Sequence, residues 1–336
     1  MQNNKIKVTI GKPTGFCSGV KRAIALVKQQ AQQAKNGTSV YTLGPIIHNS
    51  EVVNELKQLG VKTISNIKGL KPNTNNKSIV IIRTHGCAPE GIAKIKKLGY
   101  KVIDATCPYV RRVQNYALKF KNDGYTTIVV GDKHHPEVKG ILAYAKPQAT
   151  VYDMNSRFKV QGSKNWKLEI GNWKFSKIGI IGQTTIPSKL FQDAVSSFNF
   201  SDYQEIRIFN TLCKESLNRQ KICKKIADEV DLMIVIGSKK SANTLTLVDI
   251  AKSNCSKVYL VENKKDLRNW KLEKRNNLPQ MSTDEYKYKR EKRKYLCKSV
   301  AKNYRVGVIA GASTPQNTVF EVVQEIKKIT TKGETH

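Results

Sequence analysis

The chain has no CxxC pair, no long apolar run and few aromatic residues. Each absence excludes something. Without about 18 consecutive apolar residues, no membrane-spanning helix is expected. The opening Met1-Gln-Asn-Asn-Lys-Ile-Lys-Val leads straight into a strand-like run, with no apolar signal core and no Arg/Ser-rich leader, so a cytoplasmic protein is expected. Missing CxxC pairs exclude a compact zinc knuckle and a ferredoxin-type cysteine run. The seven cysteines, an odd number in a long chain without a secretion signal, do not read as a disulfide framework. Acidic residues are scarce too: 26 Asp and Glu stand against 59 Lys and Arg, a net charge of +33. That charge attracts polyanions. It is spread almost everywhere together with Asn, however, and aromatics make up only 7% of residues, so a nucleic-acid partner is not expected. A small anionic ligand such as a diphosphate fits the same charge.

What is present is a recurring unit: a β-branched run ending in Gly or a small polar residue, then a polar loop, then a helix. Ile79–Gly86, Thr126–Gly131, Ile178–Gly182, Asp231–Gly237 and Val306–Gly311 are its clearest examples. Near-continuous apolar runs of this length suit strands buried on both faces of parallel sheets. Alternation with helices points to the α/β class. Stretches starting at Val80, Ile128 and Ile234 each read strand, loop, helix, strand, which suggests three related α/β units. With 336 residues, 39% of them hydrophobic, the chain can bury several cores. Domains are expected over about 1–106, 107–212 and 213–336. Residues 71–77 and 154–176 read as connectors, and 264–305 as a basic solvated segment.

In open parallel sheets, ligands bind beyond the carboxyl ends of the strands. Four of the five histidines fall there: His48, His85, His134 and His135. Three cysteines also follow strands, Cys17, Cys107 and Cys213, one near each unit. A single histidine is usually a core residue, but four at strand ends make a poor core pattern. Three thiolates among imidazoles and hydroxyls fit a zinc site with an open position. They equally fit a cubane iron–sulfur cluster with three protein ligands and one free iron. Cys17 opens an amphipathic helix carrying Val20, Ile24, Val27 and Ala31 on one face, and a helix N-terminus favours the thiolate. Cys223 and Cys255 read as core or helix positions, and Cys87, beside His85, as a residue that could line the site without ligating. Ser241, Asn243 and Ser313, also at strand ends, offer neutral hydrogen-bond donors to a diphosphate.

Taken together and in order, the motifs resemble the 4-hydroxy-3-methylbut-2-enyl diphosphate reductase family. They are Gly-Phe-Cys-x-Gly-Val-x-Arg-Ala-Ile at 15–24, Ile-His-Asn at 47–49, Thr-His-Gly at 84–86 and Asp-Ala-Thr-Cys-Pro at 104–108. His-Pro-Glu-Val-x-Gly at 135–140, Gln-Thr-Thr at 183–185, Ser-x-Asn-Thr at 241–244 and Gly-Ala-Ser-x-Pro at 311–315 complete the set. The resemblance implies three α/β domains around a central 4Fe–4S cluster, with Cys17, Cys107 and Cys213 matching its ligands. It implies diphosphate binding by His48, His85, His135, Ser241, Asn243 and Ser313. Glu137 matches the carboxylate that relays protons to a departing hydroxyl, and Thr184 the hydroxyl that orients it. The implied reaction is reductive dehydroxylation of the allylic diphosphate to isopentenyl and dimethylallyl diphosphates, with electrons from a donor such as a ferredoxin or flavodoxin.

Three features depart from the pattern. Glu215-Ser216 stand after Cys213 where the family has a small residue and Thr; Ser216 keeps the hydroxyl and Glu215 adds a charge. His134 doubles the histidine before Pro136, and adjacency assigns the role to His135. The basic stretch Tyr286–Tyr295 is longer than the family norm, and Lys287, Lys289 and Arg290 there are expected to dock an acidic electron donor. Two other classes remain for comparison: a zinc hydrolase with Glu137 as general base, and a basic nucleic-acid-binding protein.

Overall fold

The computed structural model describes residues 7–34, 37–74, 77–153, 177–268 and 305–331. Cys297 and the stretch Tyr286–Tyr295 lie outside the described residues. The chain divides into two compact units, Cys17–Leu217 and a second made of Met1–Phe16 with Asn218–His336.

Twelve strands build three four-stranded parallel sheets among the described residues. In Cys17–Leu217, β2 (Val40–Leu43), β3 (Lys62–Ile64), β4 (Ile79–Ile82) and β5 (Lys101–Asp104) lie in the order β3-β2-β4-β5. The strands β6 (Thr126–Gly131), β7 (Ala149–Asp153), β8 (Lys177–Gly182) and β9 (Glu205–Ile208) follow as β7-β6-β8-β9. In the second unit β1 (Lys7–Ile10), β10 (Leu232–Ile236), β11 (Val258–Val261) and β12 (Arg305–Ala310) run β11-β10-β12-β1. Written this way the three orders share one pattern, and the expected α/β class with three related units holds. The first strand is the exception to sequence order: Lys7–Ile10 pairs in register with Arg305–Val308.

The pattern places the cysteines. In each sheet the last edge strand, β5, β9 or β1, is followed by one of them, at 107, 213 and 17. Each cysteine then starts a helix: α1 (Ser18–Gln33), α4 (Pro108–Asn122) and α7 (Lys214–Glu229). In each the cysteine carbonyl accepts the first helical bond, from Lys21, Arg111 and Leu217. The remaining helices are α2 (Ser50–Gln58), α3 (Pro89–Lys97), α5 (Pro136–Ala145), α6 (Ser188–Ser196), α8 (Ala242–Asn254) and α9 (Gln316–Thr331). Proline at the first helical position of α3, α4 and α5 fits because its missing N–H is not needed there. Pro108 and Pro136 thereby fix Cys107 and His135 as N-caps.

The cores explain the strand sequences. All of β4, β6 and β10 is buried, because helices cover both sheet faces. In α1 the buried residues Val20, Ala23, Ile24 and Val27 recur at helical spacing. Cys223 and Cys255 are buried in the core under β10 and β12, as their sequence context suggested. Packing is tight at Gly179 in β8, where a Cβ would lie 2.4 Å from the buried ring of Phe120 on α4. Gly179→Ala is expected to destabilise the fold by about 1–3 kcal/mol, because ring and strand cannot both keep their places. Denaturant unfolding that shows no loss would mean that the ring relaxes freely.

Candidate active site

Within Cys17–Leu217 the loops at the strand ends bring most of the expected residues together. Three imidazoles form a row: ring centroids of His48 and His85 are 5.1 Å apart, and those of His85 and His135 are 5.3 Å apart. Burial pushes His85 well below the ordinary imidazole range, and the neighbouring charges of His135, Arg83 and His48 push the same way. His135 falls to about 4, again chiefly through burial, with Asp132 pulling against it. Both rings are therefore neutral at pH 7. His135 Nδ1 accepts from the Glu137 amide at 3.2 Å. Its proton then sits on Nε2, which is buried without a hydrogen-bond partner, as is Nδ1 of His85. A buried imidazole nitrogen left unpaired costs about 1–3 kcal/mol, which a ligand's hydrogen bond would recover.

Two residues further on, Glu137 is buried, with 2% of its surface exposed. Thr184 holds both carboxyl oxygens: its N–H donates to Oε1 at 2.7 Å and its hydroxyl to Oε2 at 3.0 Å. Burial nevertheless dominates those two bonds and raises the carboxyl to about 6. A carboxyl poised there can hold and release a proton near neutral pH.

The cysteines are tied to these same loops. The Cys107 amide donates to Thr84 O at 3.0 Å, and the Cys213 amide to Thr184 O at 2.9 Å. The thiols of Cys17, Cys107 and Cys213 lie within one another's electrostatic field. For Cys107 burial outweighs the helix start: the thiol is pushed up to about 11, although the amides of Tyr109 and Val110 donate toward it. Cys213 is raised too, by burial first. The amides of Ser216 and Glu215 pull it down, while Cys17 and the Glu215 carboxylate push it up. The charge that Glu215 introduces thus acts directly on a candidate ligand. Gly19 leaves room for Cys107: a Cβ there would sit 2.6 Å from Sγ. Among the described residues, no three His, Cys, Asp or Glu side chains converge closely enough to hold a single metal ion.

Ser241, Asn243 and Ser313 belong to the second unit. Ser241 caps α8 by accepting from the Thr244 amide, and Ser313 donates to its hydroxyl at 3.4 Å. Asn243 Oδ1 accepts from the Ala312 amide at 2.9 Å. A model of the LytB protein family matches residues 8–327.

The chain belongs to the LytB protein family.

LytB relatives carry an enzyme's name. The 4-hydroxy-3-methylbut-2-enyl diphosphate reductase of Campylobacter concisus is 35% identical over 326 residues, covering 96% of this chain and 100% of its own. The protein of the same name from a Nitratiruptor species is 34% identical over 325 residues, with 96% and 99% covered. Among solved structures, that of (E)-4-hydroxy-3-methyl-but-2-enyl diphosphate reductase, described as the terminal enzyme of the non-mevalonate pathway, is 34% identical with a TM-score of 0.61, covering 96% of this chain and all of that one. The Plasmodium falciparum E-1-hydroxy-2-methyl-but-2-enyl-4-diphosphate reductase is 25% identical with a TM-score of 0.73, over 96% and 87%.

Sequence reading missed one residue of this LytB chain that braces the loops. Arg219 on α7 is fully buried and donates to Pro13 O, Gly15 O and Ala310 O at 2.8 to 2.9 Å. It pins the segment leading to Cys17 and the strand end before Ser313. Its neighbours Asn218, Gln220 and Lys221 suggest a solvated face, so nothing in the local pattern marks it.

Proposed function

We propose that this protein is a 4-hydroxy-3-methylbut-2-enyl diphosphate reductase: an iron–sulfur oxidoreductase that removes the allylic hydroxyl and yields isopentenyl and dimethylallyl diphosphates. The observation that carries the reading is the buried Glu137 carboxyl, held by Thr184 beside a row of neutral histidines. Family membership and near-complete coverage of relatives with this name support it.

The reaction consumes two electrons and two protons. The carbon–oxygen bond breaks, the hydroxyl leaves as water, and a proton adds to the allylic chain. Hydroxide is a poor leaving group, so a proton must reach the oxygen as it departs. Glu137 supplies it. The Thr184 hydroxyl, both donor and acceptor, passes protons to and from Oε2. His48, His85 and His135 direct N–H groups at the diphosphate, which gives the unpartnered nitrogens of His85 and His135 their acceptors. Ser241, Asn243 and Ser313 bind the same group.

Cys17, Cys107 and Cys213 hold a 4Fe–4S cluster. The donor set fits: three thiols start three equivalent helices and feel one another's charge. A sulfide-bridged cluster reaches further than a single ion. Gly19 keeps the space beside Cys107 Sγ clear. When bound, the cluster supplies single electrons and a Lewis-acidic iron, which no side chain provides. The reading carries with it a cytoplasmic enzyme, three domains divided near residues 106 and 213, and an acidic ferredoxin or flavodoxin attracted by the net charge of +33.

The test is iron, acid-labile sulfide and zinc per chain after anaerobic purification, followed by turnover of the allylic diphosphate with a reduced donor. About four irons with matching sulfide and both isoprenoid products are expected. Stoichiometric zinc without sulfide would turn the reading to a hydrolase.

A further inference from the structure

Two residues singled out by the sequence take no part in that chemistry, Cys87 and His134. Both line one cavity of about 360 Å³ in Cys17–Leu217. It lies beyond the carboxyl ends of β2, β3 and β4 and is closed by the start of α5. This is where parallel sheets place ligands. None of His48, His85, His135, Glu137 or the three cluster cysteines lines it.

The lining carries cations and no carboxylate. Arg83 and Lys139 contribute a guanidinium and an ammonium, and neither makes an ion pair among the described residues. Arg83 is half-buried and held in place. Gly44, with φ +73, presents no side chain, and a Cβ there would come within 2.6 Å of Arg83 Nη1. Leu43 and Ile67 supply an apolar wall, and Asn66 an amide.

The floor is built from Gly86 and Gly140. Directly beneath lies Gln114 of α4, fully buried, with neither amide atom hydrogen-bonded. A Cβ on Gly86 would fall 2.2 Å from its Nε2, and one on Gly140 3.5 Å from it. A fully desolvated amide without partners is costly unless something polar completes it. Two cations without an ion pair among the described residues, a short apolar wall and a floor of two glycines describe a preformed anion site.

We propose that this cavity is a second ligand site, separate from the reductase centre, and that it takes a small phosphorylated molecule with a short apolar part. Arg83 reads the phosphate oxygens in a bidentate fork, Lys139 adds charge, and Leu43 with Ile67 covers the apolar end. The site bears on the reductase centre as well. The charge of Arg83 is felt at both His85 and His135, so an anion resting on it changes the field at the histidine row.

Calorimetric titration of the anaerobically purified holoenzyme with inorganic diphosphate tests the proposal. Two binding sites per chain are expected. Lys139→Glu and the uncharged, cavity-filling Asn66→Trp should each weaken one of them at least tenfold and leave the other intact, with kcat for the allylic diphosphate within twofold. Binding that neither variant weakens, at one site or at two, overturns the proposal. Failure of the reductase reading would show separately, as no turnover by the unaltered enzyme, and the one site then left would still be weakened by both variants.

Discussion

Glu137→Gln is expected to lower turnover by roughly 10²–10⁴-fold, the usual worth of a positioned proton donor, and to make the protein more stable above pH 6. The two effects have one origin. Burial raises the Glu137 carboxyl from 4.5 to about 6 against the pull of two hydrogen bonds from Thr184. The folded chain therefore holds this proton more tightly than the unfolded chain. The resulting stabilisation is complete below pH 4.5 and is lost as the pH climbs through about 6. Above that, folding keeps a charged carboxylate out of water at a cost of about 2 kcal/mol. A glutamine never ionises, and its amide can still meet the N–H and hydroxyl of Thr184. Thermal unfolding at pH 8 should thus show the variant melting higher than the parent, while melts at pH 4 should coincide. In the parent, kcat/KM should fall as the pH rises through about 6. A variant with turnover within a factor of ten of the parent would remove Glu137 from the proton path. Equal melting at pH 8 would remove the buried charge.

Cys107→Ser is expected to reduce iron from about four atoms per chain to below one, with sulfide falling in step. Cys17→Ser and Cys213→Ser should behave alike, since all three cysteines occupy one position in three equivalent units. Cys87→Ser should keep its iron. That contrast matters because Cys87 is also half-buried and follows a strand, only two residues from His85. Gly19→Ala is the gentler companion. Its methyl group would press on Cys107 Sγ from 2.6 Å, so iron should be partly lost while every thiol remains. Full iron in Cys107→Ser would sink the three-thiol assignment, and iron loss in Cys87→Ser would redraw it.

Much of this was legible in the sequence because parallel α/β sheets concentrate function at strand ends. The apolar runs at 79–82, 126–131 and 232–236 could only be buried strands, and the residues after them could be read off in turn. Cys17, Cys107, Cys213, His48, His85 and His135 stand out as candidates on that ground alone. The β3 strand, Lys62–Ile64, escaped because two of its three residues are exposed and no apolar run marks it. Arg219 and Gln114 escaped for another reason. Each sits in a helix, where an arginine or glutamine ordinarily faces water, and each is fully buried by partners far away in sequence. Gln114 did leave a trace: it shares a helix with the buried Val110, Val113 and Ala117, an unusual place for an amide. The convergence of Cys87 and His134 on one cavity had no local signal, since 46 residues lie between them in the chain and they follow strands of different sheets.

The pairing of β1 with β12 also sets a schedule for synthesis. Residues 7–10 leave the ribosome long before residues 305–308, yet in the described structure β1 has no sheet neighbour except β12, about 300 residues later. At ordinary translation speeds that is a wait of roughly 15 to 60 s. Both sheets of residues 17–217 can close in that interval. The strand that leads into Cys17 stays without its sheet partner until residues 305–308 have been made. A message broken between codons 214 and 305 would thus yield a chain that holds Cys17, Cys107 and Cys213 but has no sheet partner for the strand leading into the first of them.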